Sequence, residues 1–119
     1  MKIDWRAVGF GGVVGLVIAF PGLVLGGLLD NGAFAVFVLA GFVAGGTMAA
    51  AKRPDSPLSH GILGGVATNV LSDVIAISLR VARGDTVHIA VYAFNLAVAA
   101  GFGLLGGFLS DRLRPGAPS

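Results

Sequence analysis

The chain contains no cysteine, and only 12% of its 119 residues are charged. The first absence removes disulfides, thiolate metal sites and cysteine nucleophiles. The second excludes water as the main solvent, because soluble domains carry about 25% charge. Catalytic patterns are missing too. No glycine-rich stretch has the GxxxxGK(S/T) spacing of a phosphate loop. Ser72 and Asp73 are adjacent, so they cannot form a Ser-His-Asp arrangement with His88. His60 and His88 fall at opposite ends of one apolar segment and cannot share a metal. Neither an enzyme nor a cofactor is expected.

What is present is apolar. Hydrophobic residues make up 55% of the chain, and the mean hydropathy is +0.91. A soluble core of this size cannot hide so much apolar surface. The net charge of +2 does not point to nucleic acid, because the basic residues sit beside apolar runs, where membrane orientation explains them.

A bilayer core needs about 20 apolar residues in a helix. The runs predict an all-α membrane protein, a single four-helix transmembrane bundle with helices near residues 7–29, 34–51, 58–81 and 87–109. The second is short, and the Lys52 stem extends it by snorkelling. Asp30-Asn31-Gly32 reads as a tight turn. Ser56-Pro57 reads as an N-cap followed by proline at the first helical position. Gly84 is expected to close the third helix, and Asp85 or Thr86 to cap the fourth. Residues 114–119 are too rich in proline and glycine to continue it.

Basic residues set the expected orientation. With both termini inside, Lys2, Arg6, Lys52, Arg53, Arg112 and Arg114 lie on the inner side, against Arg80 and Arg83 outside. Trp5 fits an inner interfacial anchor. Lys52, Arg53, Arg112 and Arg114 are also candidates for holding anionic lipid headgroups. A cleavable signal peptide is the rival reading of the first 29 residues, but no small-x-small site precedes Asp30.

Two segments echo each other. Residues 40–46 precede LysArgPro at 52–54, and residues 100–107 precede ArgLeuArgPro at 112–115. Gly9 and Gly12 align loosely with Gly61 and Gly64, and Pro21 falls opposite Asp73. The echo predicts two tandem helical hairpins in a parallel pseudo-repeat; the competing reading is shared glycine and alanine content. Glycine pairs at four-residue spacing recur: Gly11/Gly15, Gly22/Gly26, Gly41/Gly45, Gly61/Gly65 and Gly103/Gly107. Such pairs let helices approach closely, either within one bundle or at a dimer face.

One polar constellation stands out. Asp73 interrupts the third apolar run at a cost of roughly 2.5–3.5 kcal/mol. Asn69 precedes it by one turn and shares its face, with Ser72 at the border and Arg80 two turns on. His88, Tyr92 and Asn95 share a face of the fourth helix, at a depth that sets Asn95 opposite Asp73. The cluster reads as interhelical glue or as a proton or cation site open to the outside. Glue is favoured, since the first two helices offer no polar group at that depth.

The segments AlaGlyPheValAlaGlyGly at 40–46 and AlaAlaAlaLysArgProAspSerProLeuSerHisGly at 49–61, with ArgGlyAsp at 83–85, PheAsn at 94–95 and LeuLeuGlyGly at 104–107, resemble a family of small four-span membrane proteins of actinobacterial type. The resemblance implies an integral protein of the bacterial cytoplasmic membrane with no assigned activity, and carries over no catalytic residue. Small multidrug transporters, with a glutamate in the first helix, do not fit. Nor do fluoride channels, with an early GAxxR motif. The expected roles are a non-enzymatic packing or assembly protein, as a homo-oligomer or a small subunit of a membrane complex, and, from another class, a proton- or cation-coupled transporter or channel using Asp73.

Overall fold

The computed structural model describes residues 3–29 and 35–113. They form four helices, α1 (Trp5–Leu29), α2 (Ala35–Lys52), α3 (Pro57–Arg83) and α4 (Ile89–Leu113). The architecture is an all-α four-helix bundle. Three helices, Trp5–Leu25, Pro57–Arg83 and Ile89–Leu113, are long and apolar enough to cross a bilayer. At 18 residues α2 is shorter, about 27 Å at 1.5 Å per residue.

Every boundary but the end of α4 falls within two residues of expectation, and the shifts at the starts of α1 and α4 have local causes. The start of α1 moves back to Trp5 because Asp4 caps it: Oδ1 accepts from the backbone N–H of Arg6 at 3.1 Å and of Ala7 at 3.2 Å. Gly84 closes α3 in the left-handed region at φ 75°. Its N–H donates to Val81 O at 3.1 Å, and that of Asp85 to Arg80 O at 2.8 Å. This closure folds Asp85 back onto α3. The fourth helix therefore starts not after Asp85 or Thr86 but after His88, whose carbonyl accepts from Val91 N–H at 3.1 Å. It also runs past residue 109 to Leu113. The expected turn at Asp30-Asn31-Gly32 and the tail at 114–119 lie outside the described residues.

Two helices are central. α2 and α3 pack on each other, α1 packs on both from one side, and α4 packs on both from the other. Among the described residues α1 and α4 do not meet. A strict twofold relating the tandem hairpins would make the α1–α4 and α2–α3 pairings equivalent, and here they differ. The aligned glycines differ as well. Gly9 faces open space while Gly61 packs on Gly103 and Gly107 of α4.

The interior is mostly small or polar, with Val8 and Phe42 as its larger apolar side chains, and much of the exterior is large and apolar. Ala7, Ala19, Ala49, Ala50 and Ala99 are buried, as are His60, Thr68, Asn69 and Ser72. Phe10, Phe20, Phe94, Leu104, Leu105 and Phe108 are exposed. Monomeric soluble proteins rarely carry contiguous apolar surface on this scale. In a bilayer, burial of large side chains gives no advantage, and close backbone approach holds helices instead.

Glycine provides that approach. Gly11 and Gly15 of α1 meet Gly45 and Gly41 of α2, and Gly61 and Gly65 of α3 meet Gly103, Gly107 and Ala99 O of α4. At each, the site a Cβ would take is occupied by a carbonyl oxygen of the facing helix, the geometry of weak Cα–H···O bonds. Gly22 is buried, and Gly26 lies beyond the described side chains. Apart from that pair, the four-residue glycine pairs pack within one bundle.

Candidate functional site

α3 carries most of the buried polar side chains. Asn69 Nδ2 donates to Asp73 Oδ2 at 3.2 Å, as their spacing of one turn predicts. Asn69 is 2% exposed, whereas Asp73 is only half-buried. The reason is helical phase. Asp73 is rotated about 80° from Gly65 and about 120° from Gly61, the glycines that meet α4. Its carboxylate sits on the flank of the α3–α4 seam.

Asn95 stands one turn before Ala99, whose carbonyl meets Gly65 of α3. It precedes Gly106 by about three turns, and Gly106 abuts Val43 and Thr47 of α2. Asn95 and Tyr92 are half-buried and His88 is exposed. Among the described residues, the hydrogen bond of Asp73 is to Asn69, and none joins it to Asn95, Tyr92 or His88.

Ser72 shares the face of Gly65, one residue and about 100° from Asp73. It is 3% exposed, and its Oγ has no hydrogen-bond partner among the described residues. Below it, Thr68 is wholly buried. Its Oγ1 donates to Gly64 O at 3.0 Å and also lies against the Cα positions of Gly15 and Gly45. Thr68 therefore plugs the point where α1, α2 and α3 converge. Toward the Asp4 end, Gly64, Gly65 and Gly61 are in backbone contact with α2 or α4.

A second polar group occupies the Asp4 end. His60 is fully buried. Its Nε2 accepts the backbone N–H of Asp4 at 3.0 Å. Its Nδ1 lies 3.0 Å from Ser56 O and 2.9 Å from Ser56 Oγ. Ser56 is at the N-cap position before Pro57, but its hydroxyl makes no capping bond and meets His60 instead. Arg53 binds Asp55 twice, at 3.1 Å from Nε and from Nη2, and lies 3.7 Å from Asp4 Oδ2. The bond to Asp55 raises the pKa of Arg53 and holds the Asp55 carboxyl below its ordinary range.

The basic residues thus divide. Arg53 is ion-paired. Lys52 Nζ sits 4.7 Å over the Phe10 ring and Arg112 Cζ 5.2 Å over Phe108, two exposed rings. Arg114 lies outside the described residues. A groove of about 320 Å³ runs beside Thr47, Ala51, Pro54, Pro57 and Ser110 at this end.

Sequence reasoning missed Asp4, His60 and Thr68. Asp4 had a signal, an acid just ahead of an apolar helix. His60 had a weaker one in Ser56 one turn before it. Thr68 had none beyond being a hydroxyl inside a span. Among the described residues no group of histidine and acidic side chains is placed to hold a metal. No family model, no curated protein and no solved structure matches the chain.

Proposed function

We propose that this chain is a non-enzymatic, multi-pass protein of the bacterial cytoplasmic membrane that works by assembly, as a homo-oligomer or as a small subunit of a membrane complex. The Asp4 end is cytoplasmic in this reading. The observation that carries it is the plug at Thr68. Glycine backbones close around that side chain, and toward the cytoplasmic end Gly61, Gly64 and Gly65 touch the facing helices directly. A bundle sealed in this way is a packing unit. Asp73, half-buried on an outer flank, is then the group that a neighbouring chain covers, since an uncovered acid is costly in hydrocarbon. The resemblance to four-span actinobacterial proteins bears on the bacterial membrane in this reading and not on the role.

Native mass spectrometry of the protein extracted in mild detergent tests it. A discrete homo-oligomer, or a stoichiometric foreign polypeptide, is the expected result. A monomer without partners overturns it.

A second reading has one observation in its favour. Ser72 Oγ is buried and unpartnered beside Asn69 and Asp73, as in a site that takes up a proton or small cation. If Asp73→Asn leaves the bundle folded and abolishes proton or cation flux in liposomes, the transport reading replaces the first. If the wild type conducts nothing and Asp73→Leu disrupts assembly, assembly stands.

A further inference from the structure

We propose that His60 is a proton-sensitive clasp that ties the start of α1 to α3, closed when the imidazole is neutral and released when it takes up a proton. The assignment begins with hydrogen-bond direction. The partner of Nε2 is the backbone N–H of Asp4, at 3.0 Å. An N–H only donates, so Nε2 must present a lone pair. The ring proton of the neutral imidazole is therefore on Nδ1, where Ser56 O at 3.0 Å and Ser56 Oγ at 2.9 Å accept it. Both ring nitrogens are satisfied in one tautomer and one charge state.

A second proton has only Nε2 to bind. It consumes the lone pair that holds Asp4 and sets two N–H groups against each other. It also places a charge on a fully buried ring, which is costly unless a partner is supplied. The charged groups around the ring come from two elements. Asp4 stands at the cap of α1, and Arg53 and Asp55 stand in the α2–α3 turn. Elsewhere at this end, Lys52 of α2 is turned onto Phe10 and Arg112 of α4 onto Phe108, and Asp111 of α4 borders the groove beside Pro57.

Asp4 and Asp55 are the acids able to answer the new charge, and Asp4 is the one whose backbone N–H the proton displaces. In the neutral state its Oδ1 caps α1 and its Oδ2 faces Arg53. To accept from a protonated His60, Oδ2, which is 3.7 Å from Arg53 and has lone pairs to spare, must turn toward the ring while the backbone N–H of Asp4 moves away from it. Proton uptake therefore exchanges a backbone-to-ring bond for a carboxylate-to-ring bond and unwinds or shifts the cap of α1. The device couples local proton concentration to how α1 begins, independently of whether the chain assembles or transports.

Cysteine-free sequence allows a direct test. Spin labels at Ile3→Cys and Leu58→Cys report the distance between the α1 start and the α3 start. As the pH is lowered, a second, longer distance is expected to appear in the labelled wild type. His60→Gln offers a neutral acceptor that does not titrate, and its distance distribution is expected to stay fixed. An unchanged distribution in the wild type, or the same shift in His60→Gln, overturns the proposal. The nitrogen-15 shifts of His60 in the unmutated protein provide a check that needs no substitution. At neutral pH they must report the Nδ1–H tautomer, and an Nε2–H signature refutes the clasp.

Discussion

Gly15 and Gly41 meet reciprocally. A Cβ built on either would lie 2.5 Å from the carbonyl oxygen of the other. The α1–α2 contact thus has no room for any side chain at its centre. Gly15→Val or Gly41→Val is expected to destabilise the bundle by about 1–3 kcal/mol, the usual range for overpacking, or more because backbone must move. Gly9→Val and Gly101→Val are the matched controls, since a Cβ there meets nothing within 4 Å. Reversible unfolding in mixed detergent micelles should separate the two classes. Equal losses would mean that glycine acts through chain entropy and not through contact.

Thr68 combines a hydrogen bond and a volume in one side chain. Thr68→Val keeps the volume and loses the bond to Gly64 O. The expected cost is about 0.5–1.5 kcal/mol, the net worth of one such bond. Thr68→Leu adds bulk against Gly15 and Gly45 and is expected to cost more than the valine. The same micelle assay ranks them, and the reverse order would show that the three-helix junction is looser than its backbone contacts imply.

These residues also mark how far the sequence could be read. The four helices were legible because each apolar run is bounded by groups with strong local preferences, such as Gly84 with its left-handed φ and Pro57 at a first helical position. Glycine spacing revealed close packing, but not which helix meets which. Gly61 and Gly64 differ by one turn, and one faces α4 while the other faces α2. The polar cluster was legible along α3, where Asn69 and Asp73 belong to one helix. It was not legible across helices, because depth follows from counting residues whereas facing depends on how two helices rotate against each other. His60 escaped for the same reason. Its partner Asp4 is 56 residues away and offers a backbone N–H, a group every residue but proline possesses.

The Arg53–Asp55 pair predicts an acid-sensitive turn. Asp55 has its pKa lowered chiefly by the hydrogen bond from Arg53. A carboxyl whose folded value is depressed contributes stability above its unfolded value, about 3.9, and loses it as the pH falls through the folded value. The contribution is small because the pair is exposed. It fades only below about pH 4. Asp55→Asn is expected to abolish that low-pH step. Following the Arg53 Nε–H resonance against pH checks this, and a step that survives in Asp55→Asn would assign it to Asp4.

Headgroup binding should follow the same division of the basic residues. Arg53 spends its charge on Asp55 and Asp4, so its guanidinium is committed within the protein. Lys52 and Arg112 rest on exposed phenylalanine rings and keep their charge for the surroundings. Each such cation near an anionic surface is worth about 1 kcal/mol. Lys52→Ala and Arg112→Ala are therefore expected to lower retention of anionic phospholipid by roughly fivefold each. Arg53→Ala should leave retention nearly unchanged while loosening the α2–α3 turn. Lipid occupancy in native mass spectra, with phosphatidylglycerol titrated against phosphatidylcholine, distinguishes the two groups. A larger loss for Arg53→Ala would mean that its pairs with Asp4 and Asp55 open at the membrane surface, and that the turn itself carries the lipid contact.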